Sequence, residues 1–294
     1  MLSRTLPRTH LTALTRLLRL PLALMVALTA LAGALAWGAP LSGLSLWTLG
    51  WGVFLLAAAS SVLNQVQERR NDALMQRTCQ RPLACGALSP RAGAAVGVFL
   101  GSGGLAVLAI NSSPGPALLG LAALAWYLLV YTPLKQLTPL AVLAGTPCGV
   151  VPPLLGWLAA GGPLPAPQPL ALALFMFLWQ VPHYWLLALP DREDLRTAGF
   201  RVLPDLSDRQ LLAVSHRWLL GLALVTLLLP ALALPAHPLL QGAIAGLALT
   251  LTVTSSWLWH RSLFATNTAR RLRRLLYLHL ALVLLILFTD AFVR

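Results

Sequence analysis

Three oxygen-bearing side chains, Asn64, Glu68 and Asp72, recur every fourth residue in the stretch NQVQERRND. If the preceding apolar run continues as a helix, that spacing puts all three on one face. Amide and carboxylate oxygens in such a stripe suit Mg²⁺, which keeps several waters and is commonly shared between one or two carboxylates and substrate phosphates. Arg77, Arg81 and Lys135 lie close to the stripe in sequence or membrane depth. They would supply the cationic half of a phosphate site, arginine by paired hydrogen bonds to phosphate oxygens. A solvated helix end with intrahelical ion pairs has the same spacing and stays open as the alternative.

A second acidic cluster, PDREDLRTAGFRVLPD, places Asp191 and Asp194 one turn apart. It echoes the first: RTCQRPL from Arg77 and RTAGFRVLP from Arg196 both put Arg-Thr a few residues after the carboxylates, then a second Arg and a Pro. The echo suggests two acid-rich segments facing each other across a pseudo-symmetric bundle. Just before the second cluster, FLWQVPHYW sets Gln180 and His183 in an otherwise apolar segment. Intramembrane ionisable groups are functional candidates; the structural alternative is that they satisfy a carbonyl freed by Pro182. The other five histidines read as interfacial. Trp179, Trp185, Trp126, Tyr127 and Tyr131 either line a lipid-like pocket or, for most of them, form an aromatic belt. Cys79, Cys85 and Cys148 lack metal-ligand spacing and read as unpaired thiols.

The elements that must carry these residues are membrane helices. Of the 294 residues, 58% are hydrophobic and 10% charged, against about 25% charged in an ordinary soluble domain. Nine apolar runs are long enough to span a bilayer: 20–37, 44–63, 92–110, 116–132, 139–159, 169–189, 213–235, 238–259 and 275–292. The runs are continuous rather than alternating, which excludes a β-barrel and predicts an all-α polytopic bundle.

A formal charge of +13 would suggest nucleic acid in a soluble chain. Here the charge sorts by loop parity, so no nucleic-acid partner is expected. The basic residues Arg4, Arg8, Arg16 and Arg19 precede the first span, and the others follow even-numbered spans, with Arg294 as the exception. The positive-inside bias puts the N-terminus in the cytoplasm and the C-terminus outside. Seven of the eight acidic residues share that inner face, leaving Asp290 alone near the C-terminus. The Arg-rich start and the run ending Ala34-Leu35-Ala36 resemble a targeting peptide, but the run exceeds a signal's usual apolar length, so the first span is read as retained.

Three long segments resemble the UbiA-type membrane prenyltransferases, and among these the haem branch: SSVLNQVQERRNDALMQRTCQRPL from Ser60, YTPLKQLTPLAVLAGTPCGVVPPLLGW from Tyr131, and FLWQVPHYWLLALPDREDLRTAGFRVLPD from Phe177. The resemblance implies one domain over 1–294 and a nine-helix bundle around a central cavity; the charge bias makes about 1–19 a basic cytoplasmic segment, and the Leu/Ala/Arg-rich composition with compact loops favours a bacterial inner membrane. The resemblance implies Asn64, Glu68, Asp72 and Asp194 as the Mg²⁺ and diphosphate motifs, Arg77, Arg81 and Lys135 as diphosphate-binding, and His183 with Trp179 at the acceptor; Asp191, one turn before Asp194, joins the candidate metal ligands by its spacing alone. The implied reaction joins the farnesyl group of farnesyl diphosphate to a vinyl group of protohaem IX, giving haem O. Haem A synthase or a terminal oxidase assembly are the implied downstream partners.

Two departures stand out. Arg70 occupies a position where the haem branch usually carries a further Asp, and Asp191 and Glu193 stand where the family more often has a basic residue and Asp. In a regular helix Arg70 points about 200° away from Glu68; an unwound helix would instead cost a metal ligand. Two other readings therefore stay open, a prenyltransferase acting on an aromatic quinone precursor and a non-catalytic haem or isoprenoid carrier.

Overall fold

The computed structural model describes residues 10–38, 42–111, 113–201, 203–261 and 265–293. Arg4, Arg8 and Arg294 lie outside them. Among the described residues nine helices are long and apolar enough to cross a membrane: α1 Leu20–Trp37, α2 Gly43–Asp72, α3 Pro90–Ile110, α4 Pro114–Leu137, α5 Ala141–Ala159, α6 Pro167–Thr197, α7 Asp208–Leu232, α8 Pro238–His260 and α9 Ala265–Val293. The chain is thus a multi-pass membrane protein. Every span expected from the sequence is present, several extended at one end.

The extension of α2 matters most. Its 30 residues give a rod of about 45 Å, while a bilayer's hydrocarbon core is roughly 30 Å thick. The last turns therefore project beyond the apolar band and carry Glu68 and Asp72 with them. Ser42 starts this helix by accepting a hydrogen bond from the Ser45 amide, so the rod is fixed at its far end.

Neighbouring helices pack in sequence order from α2 to α9, and α1 closes the ring by touching both α9 and α2. It also crosses to α5. There Gly33 meets Pro153 and Gly156 meets Ala30, so closely that a Cβ on either glycine would collide with the opposing backbone carbonyl. Small residues at such a crossing allow the van der Waals contact that drives helix association in lipid.

Before α1, a short helix His10–Leu18 ends at Arg19, which adopts a left-handed φ of 51°. Gln65 of α2 satisfies the open end of that helix, its amide donating to the carbonyls of Leu17 at 2.7 Å and Arg16 at 3.2 Å. The reversal at Arg19 is thereby tied to α2. On the opposite face, buried Asp290 accepts from the Ala236 and His237 amides at 3.1 and 2.9 Å and holds the start of α8. The helices α6–α9 share a large apolar core. Within it His279 is 3% exposed and bonds to Thr226 at 3.1 Å, so it is a core residue rather than an interfacial one.

Gly156→Ala should destabilise the protein by about 1–3 kcal/mol through this overpacking. Gly246→Ala on α8, which meets nothing within 4 Å, should leave the unfolding temperature in detergent unchanged or slightly raised. Equal shifts in the two variants would show that the α1–α5 crossing is not a tight contact.

Candidate functional site

The helix of α2 is unbroken through Asp72, so the fourfold spacing holds in space. Asn64, Glu68 and Asp72 are 2%, 4% and 2% exposed. Arg70 is exposed, on another side of the helix. The stripe lines a cavity of about 280 Å³ enclosed by α1, α2, α4, α5 and α6. The loop after α2 folds back to bring Arg77 and Arg81 to the same wall.

The opposite wall comes from α4. Its middle is a π-helical segment, Tyr127–Tyr131, followed by Pro133, whose ring nitrogen has no hydrogen to donate. Thr132 donates its hydroxyl to the Tyr127 carbonyl at 2.8 Å, and Gln67 of α2 donates to the Leu128 carbonyl at 3.1 Å. With the local register so adjusted, Tyr127, Tyr131 and Lys135 all face the cavity. The two tyrosines are therefore pocket residues, whereas Trp126 points outward at 41% exposure.

Each buried acid of the α2 stripe has a cation. Lys135 Nζ lies 2.5 Å from Glu68 Oε1, and Arg81 Nη1 lies 2.7 Å from Asp72 Oδ2. The ammonium of Lys135 also sits 5.0 Å from the Tyr131 ring centroid. Asn64 donates its amide nitrogen to Thr132 Oγ1 at 3.2 Å, which leaves the amide oxygen as the ligating atom. Arg19 lines the same cavity with no acidic partner among the described residues. From sequence it reads only as a topology charge; the reversal before α1 is what turns it inward.

The second acidic cluster joins the rim rather than the wall. Asp191 pairs with Arg77 Nε at 3.1 Å, and Asp194 accepts from the Gln76 amide at 2.9 Å. Asn71 donates to the Ala198 carbonyl at 2.7 Å, and Met75 packs with Leu195, Ala198 and Phe200. The end of α2 and the loop after it are thus in direct contact with the acid-rich end of α6. Loss of bulk water lowers the Arg77 pKa while Asp191 opposes the shift; a guanidinium stays cationic regardless.

At the α6 wall His183 and Gln180 line the cavity, with Tyr184 and Cys148 beside them. Trp179 stands behind: its ring stacks on His183 with centroids 4.7 Å apart, and its Nε1 donates to the Leu276 carbonyl at 2.9 Å. It therefore positions His183 against α9 and does not itself border the space. From the polar end the cavity runs on between Leu22, Val26, Val53, Leu56, Leu124 and Leu155, an apolar gallery suited to an extended hydrocarbon.

An oxygen-seeking divalent cation fits this donor set. No group of three or more His, Cys, Asp or Glu side chains converges among the described residues. Asp191 and Asp194 therefore do not join Glu68 and Asp72 in one ligand set; a Mg²⁺ ion shared with a phosphate substrate takes only one or two carboxylates from protein.

Residues 23–286 match the model of the UbiA prenyltransferase family. The chain is 45% identical over 208 residues to a protoheme IX farnesyltransferase of Geobacter sulfurreducens, covering 70% of this chain and 76% of the relative. It is 37% identical over 246 residues to a protoheme IX farnesyltransferase of Oleidesulfovibrio alaskensis, covering 84% and 87%. In fold it resembles a UbiA homologue from Archaeoglobus fulgidus bound to GPP and Mg²⁺, with a TM-score of 0.68 and 18% identity over 94% of this chain and 99% of that one.

Removing one member of the Glu68–Lys135 pair strands a buried charge. Lys135→Met should destabilise the protein by about 3–5 kcal/mol, and Lys135→Met/Glu68→Gln should recover most of that loss. Reversible unfolding in mixed micelles measures both; additive losses would show that the two groups are not coupled.

Proposed function

The chain belongs to the UbiA prenyltransferase family, and on that premise we propose that it transfers the farnesyl group of farnesyl diphosphate to a vinyl group of protohaem IX. The observation that carries this reading is one cavity with an oxygen-and-cation end continuous with an apolar gallery. The choice of farnesyl and protohaem follows the names of the two relatives above. The same reading sets the charged end on the cytoplasmic side of a bacterial inner membrane and the gallery in the lipid-depth part of the bundle.

Lys135, Arg81, Arg77 and Arg19 bind the diphosphate. Three of them already hold carboxylates, and a diphosphate offers the same donors acceptors of higher charge. Asn64, Glu68 and Asp72 would hold Mg²⁺, with Asp191 and Asp194 at the rim. Bound there, the ion would neutralise charge that builds on the departing diphosphate. The fixed cations do the same without rearranging during the reaction. The gallery holds the hydrocarbon chain and keeps water from the allylic carbon. Tyr131, Tyr127 and Tyr184 line the space around that carbon, where an aromatic ring face would stabilise positive charge.

Arg70 has no part in this chemistry, because its side chain is exposed while the stripe is buried. Its difference from the family pattern therefore does not favour a non-catalytic carrier.

The test is haem O formation by membranes supplied with protohaem, farnesyl diphosphate and Mg²⁺. Asp72→Ala should lower turnover by about 100-fold or more, chelation should abolish it, and Arg70→Asp should stay within about twofold of wild type. Arg19→Gln should raise KM for farnesyl diphosphate. Turnover of a quinone precursor with none of protohaem would move the acceptor assignment to that class.

A further inference from the structure

Addition of an allylic carbon to a vinyl group does not finish the reaction. The new C–C bond forms at the outer vinyl carbon with the vinyl π electrons, and the positive charge moves to the inner carbon attached to the porphyrin. That cation ends either by losing a proton, which leaves an alkene, or by capturing water, which leaves an alcohol. A site that yields the alcohol has to hold one water at the cation while excluding water from the allylic carbon.

Besides Glu68 Oε1, two polar atoms of the cavity wall have no hydrogen-bond partner among the described residues. Gln180 Oε1 and His183 Nδ1 are both shielded from bulk solvent and unsatisfied, a state that is costly for buried polar groups and rare in native folds. Glu68 Oε1 of the same wall differs, because Lys135 stands against it. The two orphaned atoms lie on one face of α6, three residues apart, on side chains that border the cavity.

Their surroundings hold them in place. The Gln180 amide nitrogen lies 3.5 Å from the Tyr184 hydroxyl, which orients the oxygen. Gly149 of α5 makes room for it, since a Cβ at that position would collide with the amide. His183 is clamped between the Trp179 face and the Tyr277 edge, with centroids 4.7 and 5.2 Å away. Neither atom meets bulk solvent, so the group that satisfies them comes in with the substrates or is trapped beside them.

We infer that Gln180 and His183 hold the water that ends the reaction, with Gln180 Oε1 and His183 Nδ1 accepting its two hydrogens. A water held this way turns its lone pairs away from both acceptors, toward the cation. The balance is complete: the farnesyl C–O bond breaks with its electron pair leaving on diphosphate, and the vinyl pair makes the C–C bond. A water lone pair then makes the C–O bond, and the water's proton passes to His183 Nδ1 and on to solvent at product release. A buried water needs two to four polar partners; these two acceptors and the nearby Tyr184 hydroxyl supply that number. The inference rests on the protohaem reading of the acceptor.

The experiment follows products by mass spectrometry in isotopically labelled water, with diphosphate release recorded in parallel. Wild type should give farnesyl-haem carrying one labelled hydroxyl. Gln180→Met and His183→Phe, which keep volume and stacking, should raise the ratio of the dehydrated alkene to the alcohol by about tenfold, a change of about 1.4 kcal/mol between competing steps. Diphosphate release should change far less. Gln180→Glu, which keeps an acceptor oxygen, should remain near the wild-type ratio. An unmoved ratio, or alcohol and diphosphate falling together in both variants, overturns the inference and leaves the transfer reading intact. A wild type that forms no farnesyl-haem at all overturns both.

Discussion

A carboxylate that leaves water for the interior of a membrane bundle needs a partner in place, and the architecture around the site follows from that need. Glu68 and Asp72 are buried because α2 runs on past the apolar band as a continuous helix, and each meets one cation. Lys135 reaches Glu68 because the π-helical turn of α4 re-registers the segment that carries it. Arg81 reaches Asp72 because the loop after α2 is pinned to the extension of α6 through Met75, Leu195 and Phe200. An unpaired charge in this setting would cost several kcal/mol, so loop, turn and helix extension are coupled through the acids.

The same pairs suit substrate binding. Cations held by carboxylates are pre-oriented, and pre-orientation reduces the entropy lost when a ligand binds. Arg19 adds positive charge beyond the pairs, which biases the polar end toward an anion. The aromatic and apolar walls then divide the cavity into a charged end suited to an anion and a drier space suited to a hydrocarbon.

Much of this was legible in the residues themselves. Nine apolar runs gave the helices, because lipid leaves few alternatives to a helix. The period of four in Asn64, Glu68 and Asp72 survived intact, since a regular helix preserves it, and the same regularity turns Arg70 out to the exposed side. Arg19 was hidden, because a positive-inside charge and a ligand-binding charge look alike until the left-handed turn aims one of them inward. Tyr127 and Tyr131 stayed open between pocket and belt because a π-helical segment leaves no periodicity to read. His279 sat in an apolar run whose depth could not be judged until Thr226 appeared beside it. Trp179 and His183 are neighbours, yet only the contact with Leu276 tells which one borders the cavity.

The chemistry proposed above depends on the paired charges of α2 and α4 forming an anion site shared with a divalent cation. Calorimetric binding of an unreactive farnesyl thiodiphosphate to the purified full-length protein addresses it most directly, because no acceptor and no turnover are involved. Binding should be at least about tenfold tighter with Mg²⁺ than with chelator, a difference of about 1.4 kcal/mol, and Asp72→Asn should lose that dependence. Binding of equal strength with and without the ion, unaffected by Asp72→Asn, would contradict it.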